Sequence, residues 1–299
     1  MNAQSARKAY LFALLAVLFW STIPTAFKLG LEHISSWQLL TGATLVSTLV
    51  LGILTLVRGK FQSLRSYSKK DLAFSALMGL LNPVIYYLVL FKAYTILPAS
   101  VAQPLNMIWP IVLVILAVPI LRQRLSWLSL GAMVLSFSGV VLISMMGGTG
   151  SEDPQNRLGI ILALSTSVVW ALYFLYNTRD KKDPVTRLFL NFAFASLLLL
   201  LAGLFRDYSF PNSAEGWYAA IYVGVFEMGI TFVLWLMAIR LAPRSDRISN
   251  LVYMAPFLNL LFASQVLGEK IYMTTVAGII LLVAGIVIQN IRGKNAKQL

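Results

Sequence analysis

The chain has 299 residues, of which 59% are hydrophobic and 12% are charged, and its net charge is +13. A soluble domain carries about 25% charged residues, so this composition excludes an ordinary soluble fold and indicates a protein whose main solvent is lipid. Cysteine is absent, which excludes disulfides and thiolate chemistry. Ten apolar segments of about 20 residues are predicted as helices, and each is long enough to cross roughly 30 Å of hydrocarbon. In chain order they are Tyr10–Leu31, Ser35–Val57, Leu72–Tyr94, Ala99–Leu121, Trp127–Met146, Leu158–Thr178, Val185–Phe205, Trp217–Leu241, Ile248–Leu267 and Met273–Ile291.

The second half of the sequence repeats features of the first half at a spacing of 145 residues. Each half holds five predicted spans, and an odd number of spans places the two copies in opposite orientations. We therefore expect an all-α membrane protein with ten transmembrane helices, arranged as two inverted five-helix repeats at 1–150 and 151–299. The matched pairs include Ala93 with Ala238, Pro98 with Pro243, and Ser100 with Ser245.

Lysine and arginine are distributed unevenly over the predicted loops. With a cytoplasmic N-terminus, all but five of the 24 Lys and Arg residues fall on the cytoplasmic side. Because basic residues gather on that side, the sequence predicts a multi-pass protein of the bacterial inner (plasma) membrane with both termini in the cytoplasm. The positive charge then faces anionic lipid, and we expect no nucleic-acid partner. The five outer residues are Lys28, Lys92, Arg157, Arg206 and Lys270.

One acidic residue, Glu227, lies near the middle of the eighth predicted span. A charge at that depth costs about 2.5–3.5 kcal/mol on insertion scales, so such a side chain faces a cavity or a partner. On a regular α-helix, Glu227, Thr231 and Trp235 share one face. Glu227 is therefore a candidate for proton coupling or for binding a substrate ammonium, and a protonated structural carboxyl is the alternative. In the register of the repeat it corresponds to Asn82.

Aromatic and amide side chains in other spans are predicted to line the same cavity. Indole and phenol rings offer flat apolar faces with a polar tip, and they can hold an aromatic ring or a cationic amine. Such a lining suits a zwitterionic, partly apolar metabolite. The alternatives are anchoring of Trp and Tyr at the membrane interfaces and amide contacts between helices. The candidate substrate-binding residues are Trp20, Asn82, Tyr86, Gln103, Trp109, Trp170, Tyr173, Glu227, Trp235 and Tyr253.

Two further features concern helix shape and packing. Pro83 lies inside the third predicted span, where it removes a backbone hydrogen bond and is expected to bend the helix. Small residues recur roughly seven apart in the fifth and tenth spans, where Gly131 and Ser138-Gly139 match Ala277-Gly278 and Ala284-Gly285. Such seams let helices approach closely and favour packing within one bundle over a dimer contact, so we expect a monomer.

Short motifs lie near both ends of the chain and fit the register of the repeat. They are Phe19-Trp20 with Lys28, Leu267-Gly268-Glu269-Lys270, and Gly285-Ile286-Val287. With them the whole chain resembles the EamA type of the drug/metabolite transporter superfamily. Gln123 departs from the pattern, because the family usually shows Glu there. The resemblance implies ten helices in two repeats and secondary transport of small metabolites. One branch of the family, which this chain resembles, exports amino acids that include aromatic ones.

These observations favour a secondary transporter that exports small metabolites, in particular aromatic or neutral amino acids, by alternating access. The alternative is a proton-coupled multidrug or other metabolite exporter, and the lack of a continuous polar stripe disfavours a channel or scramblase. We expect no enzyme activity, cofactor or bound metal, because the sequence offers no catalytic constellation, nucleotide loop or metal-ligand cluster. The expected partners are a small-molecule substrate, an amino acid or similar metabolite, and membrane lipid.

Overall fold

The computed structural model describes residues 3–109, 111–112, 115–116, 127–145, 153–177, 180–205, 213–241 and 250–295. Over these residues all regular structure is helical. The α-helices are α1 (Ala3–His33), α2 (Ser36–Val57), α3 (Lys69–Gly79), α4 (Tyr86–Ile96), α5 (Ala99–Asn106), α6 (Trp127–Met145), α7 (Pro154–Asn177), α8 (Pro184–Gly203), α9 (Ala214–Tyr222), α10 (Thr231–Leu241), α11 (Ala255–Leu267) and α12 (Met273–Asn295). Two π-helical segments, π1 (Leu80–Ile85) and π2 (Val223–Ile230), join α3 to α4 and α9 to α10. Phe61–Ser66 and Asn250–Met254 form short 3₁₀ helices.

Where the structure describes them, the apolar segments predicted from composition are mostly helical. Within the described ranges, six stretches are long and apolar enough to cross a membrane, and three shorter apolar helices accompany them. The predicted fourth, fifth, sixth and ninth spans extend beyond the described residues, and Gln123 also lies outside them. The six long stretches are Arg7–His33, Ser36–Val57, Lys69–Ile96, Pro154–Asn177, Pro184–Gly203 and Ala214–Trp235, and the shorter helices are Leu130–Met145, Ala255–Leu267 and Met273–Ile288.

Side-chain caps fix where several of these helices begin. The hydroxyl of Ser35 accepts the backbone N–H of Gln38, whose side chain accepts the backbone N–H of Ser35 in return. Ser68 and Asp71 form the same reciprocal pair at the start of α3. Asp183 caps α8 in the same position. Each cap satisfies N–H groups that the first helical turn leaves without an acceptor.

The chain divides into two compact units. Unit 1 comprises Met1–Phe91 and Asn177–Val252, and unit 2 comprises Lys92–Tyr176 and Tyr253–Leu299. Each unit therefore combines helices from both halves of the sequence, and one boundary between the units falls within α4. This division by packing differs from the predicted sequence repeats 1–150 and 151–299, which remain a prediction.

Unit 1 is held together by tight helix crossings. Ala9 and Ala13 of α1 form a fully buried cluster with Ala238 of α10. Between α2 and α8, the hydroxyls of Thr48 and Ser196 are 2.9 Å apart and share a hydrogen bond. Small side chains and hydroxyl contacts are common devices for joining helices in lipid, where apolar burial gives no driving force between helices.

Two glycines related by the 145-residue spacing hold the π-helical segments against neighbouring helices. A Cβ atom at Gly79, directly before π1, would overlap the carbonyl oxygen of Asn191 in α8. A Cβ atom at Gly224, inside π2, would lie 2.5 Å from the carbonyl oxygen of Ala43 in α2. Only glycine allows backbones to approach this closely. The two crossings therefore fix the positions of π1 and π2 within unit 1.

The bend predicted at Pro83 is confirmed. The α-helix ends at Gly79, and Asn82 has the non-helical dihedral angles φ −144° and ψ 114° directly before the proline. Proline removes a hydrogen bond donor and disfavours helical dihedrals in the residue before it. The third span therefore consists of two helical pieces, with Asn82 at the break.

A charged network in unit 1 connects the start of α3 to the start of α8. Arg187, only 3% exposed, donates to the carboxylate of Asp180, to the backbone carbonyl of Asp71 at 2.7 Å and to the hydroxyl of Ser75 at 2.7 Å. The guanidinium lies 5.0 Å from the ring centroid of Tyr67. Burial raises the pKa of Tyr67 above its ordinary value, and the charge of Arg187 opposes this shift. A buried guanidinium needs such partners, because an unpaired buried charge is strongly destabilising.

In unit 2, α6 and α12 cross at the small residues that the sequence singled out. A Cβ atom at Gly278 would lie 2.6 Å from the carbonyl oxygen of Gly139. Beside this contact, the hydroxyl of Ser136 donates to the carbonyl oxygen of Leu282 at 3.3 Å. The predicted close approach within one chain is confirmed at Gly139, Gly278 and Gly285, whereas a Cβ atom at Gly131 would meet no atom within 4 Å, so Gly131 takes no part in this crossing.

Glu269 joins the end of α11 to the start of α5 within unit 2. Its Oε1 accepts the backbone N–H of Ala99 at 2.6 Å, and its Oε2 accepts the backbone N–H and the hydroxyl of Ser100 at 2.9 and 2.6 Å. Asn259 donates to the carbonyl oxygen of Ala99 at 3.1 Å. The carboxylate thus supplies acceptors for the first turn of α5 and meets the positive end of that helix.

Candidate substrate site

Glu227 lies within π2, in the middle of the segment that joins α9 to α10. The residue is half-buried, and its Oε1 accepts a hydrogen bond from the hydroxyl of Tyr87 at 2.8 Å. Its Oε2 is inaccessible to solvent and has no hydrogen-bond partner among the described residues. One carboxylate oxygen is therefore held by Tyr87, and the other has no donor within the described part of the chain.

The hydroxyl of Tyr87 is fixed by the packing of its ring. Tyr87 is fully buried, and its ring centroid lies 6.1 Å from that of Phe27, 5.6 Å from that of Phe91 and 4.8 Å from that of Tyr86. The contacts with Phe27 and Tyr86 are edge-on, the geometry that aromatic pairs favour. A ring enclosed in this way presents its hydroxyl to Glu227 from a single direction.

Aromatic rings of α1 contact rings of π2, the segment that contains Glu227, and rings of α10, which follows it. The rings of Trp20 and Trp235 have centroids 5.2 Å apart, and Phe232 lies edge-on to Trp20 at 6.4 Å. Phe226, directly before Glu227, lies 4.7 Å from Phe19. Trp20 and Trp235, which the sequence predicted separately for this site, are therefore brought into contact.

A second polar pair lies one turn from this cluster. The hydroxyls of Thr22 and Tyr222 are 2.7 Å apart and share a hydrogen bond. The ring of Tyr222 lies 4.8 Å from that of Phe226. Phenol and hydroxyl groups thus accompany the apolar ring faces, as expected for a site that handles a molecule with both characters.

The prediction that Glu227, Thr231 and Trp235 share one face assumed a regular α-helix, and this assumption needs a correction. Residues 223–230 form π-helical turns, which are wider than α-helical turns, so the i, i+4 spacing across this segment is not that of a regular helix. Thr231 is fully buried, and its hydroxyl donates to the carbonyl oxygen of Phe226. Its side chain therefore satisfies the backbone of π2.

Asn82 occupies the position in π1 that corresponds to Glu227 in π2. Its side chain is 1% exposed, and its Oδ1 has no hydrogen-bond partner among the described residues. An unsatisfied buried acceptor is unfavourable by about 1–3 kcal/mol, so such an atom calls for a functional explanation. Both π-helical segments therefore carry a side-chain oxygen that lacks a donor.

The other five candidate residues lie in unit 2. Gln103 is buried in α5. The ring of Trp109 lies 5.8 Å from that of Phe174, and the rings of Trp170 and Tyr173 are 5.9 Å apart in α7. The side chain of Tyr253 lies outside the described part of the structure.

Five candidates thus share unit 1: Trp20, Asn82, Tyr86, Glu227 and Trp235. Sequence reasoning missed the residue that holds Glu227 in place, Tyr87, as well as Phe19 and Phe226. The described residues contain no group of three or more His, Asp or Glu side chains able to hold a metal ion.

Comparison with known proteins gives a family match over most of the chain. A sequence model of the EamA-like transporter family matches residues 7–145 and again residues 157–291. An uncharacterized transporter of Clostridium kluyveri is 26% identical, over 98% of this chain and 96% of its own length. A solved crystal structure aligns with 98% of this chain and 99% of its own chain, with a TM-score of 0.67 at 19% identity, and therefore shares its fold.

Two further relatives have names that state a substrate. A probable terminal-alkyne amino-acid exporter of Streptantibioticus cattleyicolor is 25% identical, over 95% of this chain and 94% of its own length. The aromatic amino acid exporter YddG of Ancylobacter novellus is 26% identical, over 59% of this chain and 61% of its own length.

Proposed function

The chain belongs to the EamA-like transporter family and is a multi-pass membrane transporter of a small molecule, and we propose that it exports aromatic or neutral amino acids by alternating access. The observation that carries this proposal is Oε2 of Glu227, which lacks a donor among the described residues, in a unit where aromatic rings of α1 also contact rings of π2 and α10. An amino acid has a protonated amino group at neutral pH, and aromatic or apolar side chains supply a complementary surface for the rings. Two relatives named as amino-acid exporters support the same substrate class.

Glu227 matches the amino group of such a substrate in charge and in hydrogen-bonding capacity. An ammonium group donates three hydrogen bonds, and Oε2 is an acceptor whose donor is missing among the described residues. A charge-assisted hydrogen bond is about twice as strong as a neutral one, so an ammonium at Oε2 would offset the penalty of burying the carboxylate. In the absence of substrate, a proton at the same carboxyl would serve the same purpose, and Glu227 is our candidate for proton coupling.

The aromatic contacts favour a substrate with an apolar or aromatic side chain. Trp20 and Trp235 contact each other, and Phe226, directly before Glu227 in π2, contacts Phe19. Such rings hold another ring by stacking and hold an amine through the negative face of the π system. A sugar or a phosphorylated metabolite would need more hydroxyl and basic partners than these residues provide.

Alternating access requires two exchangeable conformations, which two inverted repeats would supply. We propose ten transmembrane helices, five in 1–150 and five in 151–299, with both termini on the cytoplasmic side of a bacterial inner membrane. The double match of the family model supports the two repeats. The pairing of π1 with π2 and of Asn82 with Glu227, 145 residues apart, supports them at the level of local geometry.

The substrate is tested with purified protein in liposomes and a panel of labelled phenylalanine, threonine, lactose and tetraphenylphosphonium. We expect flux of phenylalanine, reduced by Glu227→Gln and unchanged by Glu215→Gln, which alters an exposed acid at the start of α9. Flux of tetraphenylphosphonium without amino-acid flux would replace the proposal with the multidrug alternative. Absence of amino-acid flux at every imposed pH gradient would refute it.

The topology is tested separately, because the natural chain has no cysteine. Single cysteines are introduced at exposed positions, His33→Cys at the end of α1 and Lys60→Cys after α2. With a cytoplasmic N-terminus, a membrane-impermeant maleimide added to intact cells labels position 33 and not position 60. The reverse pattern would overturn the proposed orientation and leave the substrate assignment standing.

A further inference from the structure

The hydrogen bond between Tyr87 and Glu227 joins the two halves of the sequence inside unit 1. The donor lies one residue into α4, directly after π1, and the acceptor lies in π2. The O···O distance of 2.8 Å is typical of a hydroxyl–carboxylate hydrogen bond. One repeat therefore supplies the acid, and the other supplies the group that orients it.

This pair occurs once, although the repeat could have produced it twice. The position equivalent to Glu227 is Asn82, and the position equivalent to Tyr87, 145 residues later, is Phe232. Phe232 has no hydroxyl, and its ring lies edge-on to Trp20 at 6.4 Å. The acid at position 227 has no acidic counterpart at position 82, and the hydroxyl donor at position 87 has no counterpart at position 232. The two residues that break the symmetry of the repeat are thus the two that form this hydrogen bond.

Rotation of the Glu227 carboxylate would exchange its two oxygens, but the hydroxyl of Tyr87 donates a hydrogen bond to Oε1 alone. Because the ring of Tyr87 is enclosed by Phe27, Tyr86 and Phe91, its hydroxyl cannot follow the carboxylate if the latter rotates. Oε1 is held, and Oε2 stays inaccessible to solvent and has no donor among the residues that the structure describes.

From this geometry we infer that Tyr87 is a positioning residue for substrate binding: by donating to Oε1 of Glu227, it holds the carboxylate so that Oε2 is the oxygen that receives the amino group of the substrate. The inference rests on the proposed role of Glu227 in amine binding, and it extends to any ligand with a protonated amine. Holding an acceptor in its productive orientation before the ligand arrives lowers the entropy lost on binding. Tyr87 therefore acts on affinity for the amine and not on affinity for the apolar part of the ligand.

The test measures binding of phenethylamine and of 3-phenylpropanoate by calorimetry, using the full chain in lipid nanodiscs. The two probes share a phenyl ring and a short chain, and only the first carries an ammonium group. We expect Tyr87→Phe to raise the Kd of phenethylamine roughly tenfold, the effect of losing one hydrogen bond to a charged group, and to leave any binding of 3-phenylpropanoate unchanged. Tyr94→Phe is the matched control, since it removes another buried phenol hydroxyl two turns along the same helix.

A double-mutant cycle separates positioning from a general structural effect. With Glu227→Gln already present, Tyr87→Phe is expected to change the Kd of phenethylamine by less than about twofold, because no carboxylate remains to be oriented. An equal loss in both backgrounds would overturn the inference, and so would an unchanged Kd for Tyr87→Phe alone. If Tyr87→Phe does not fold, Glu227→Asp provides the second test: its shorter carboxylate keeps the charge but withdraws from the phenol, and it must weaken phenethylamine binding similarly.

The outcomes also distinguish this inference from the proposed function. Binding of phenethylamine that depends on Tyr87, without binding of any amino acid, would refute the amino-acid proposal and retain Tyr87 as the positioning residue. Phenylalanine binding that Glu227→Gln weakens and Tyr87→Phe does not would retain the function and refute the inference. A wild-type protein that binds no amine at all would refute both.

Discussion

Replacement of Glu269 by alanine tests how unit 2 is held together. The substitution removes a carboxylate that accepts three hydrogen bonds from Ala99 and Ser100 at the start of α5. A hydrogen bond to a charged group contributes about 1.5–3 kcal/mol, but the three share one carboxylate that is only half-buried, so their contributions do not add fully. We expect Glu269→Ala to destabilise the protein by about 3 kcal/mol.

The assay is thermal unfolding in detergent, followed by the fluorescence of the seven tryptophans. A loss of this size should lower the apparent midpoint by roughly 5–10 °C. Glu269→Gln should fall between wild type and Glu269→Ala, because the amide keeps one acceptor oxygen but turns an N–H group toward the backbone donors. Glu32→Ala serves as the control, since Glu32 is an exposed acid at the end of α1. Our reasoning would be refuted if Glu269→Ala melted within about 1 °C of wild type or if Glu32→Ala produced the same fall.

Three further predictions concern the site and the packing of each unit. Glu227→Gln is expected to abolish the pH dependence of amino-acid flux in liposomes, because an amide does not ionise; a profile with the wild-type shape would exclude Glu227 as the proton-coupling group. Gly139→Val should lower the melting midpoint by several degrees, because the valine side chain would overlap the backbone at Gly278. Gly131→Val is the control, since position 131 faces open space and the midpoint should not fall. Equal midpoints for the two variants would contradict the crossing of α6 and α12. Arg187→Leu leaves the carboxylates of Asp71 and Asp180 without their buried partner, and we expect a destabilisation of about 3–5 kcal/mol. Size-exclusion chromatography should then show little folded protein. A normal yield with a wild-type melting midpoint would contradict the importance of this network.

The helices and the central acid were predictable because their signals are local. Continuous apolar segments of membrane-spanning length predict helices without knowledge of their neighbours. The 145-residue spacing predicted that Glu227 and Asn82 occupy equivalent positions, and the structure places them in the two π-helical segments. The bend at Pro83 and the use of small residues for close helix packing followed from intrinsic properties of proline and glycine, but the pairing of Gly139 with Gly278 did not.

The π-helical segments could not be predicted, because their sequences are compatible with ordinary α-helix. Their positions depend on backbone contacts with distant helices, at Gly79 in one case and at Gly224 in the other. This had a direct consequence for the site. A regular α-helix pairs Asn82 with Tyr86 four residues later, and the prediction therefore selected Tyr86, whereas the residue that contacts Glu227 is Tyr87. Wider turns shift the register by about one residue, which the sequence does not reveal.

The sequence also could not predict that Glu269 binds the start of α5. The motif around it indicated the family, but its contact with α5 joins residues about 170 positions apart and becomes visible only in the packed unit. The division into two compact units, each built from both halves of the sequence, is a property of packing in the same sense. Periodicity and composition report on single helices, and they contain no information on which helices pack together.

Transient counterflow in liposomes tests the central claim most directly, because it separates a carrier that alternates between two states from a channel. Liposomes are loaded with unlabelled phenylalanine and diluted into a trace of labelled phenylalanine. We predict a transient accumulation of label above its equilibrium level that is absent from unloaded liposomes and is weakened by Glu227→Gln. Uptake that rises to equilibrium without overshoot, and at the same rate with or without internal phenylalanine, would contradict amino-acid transport by alternating access.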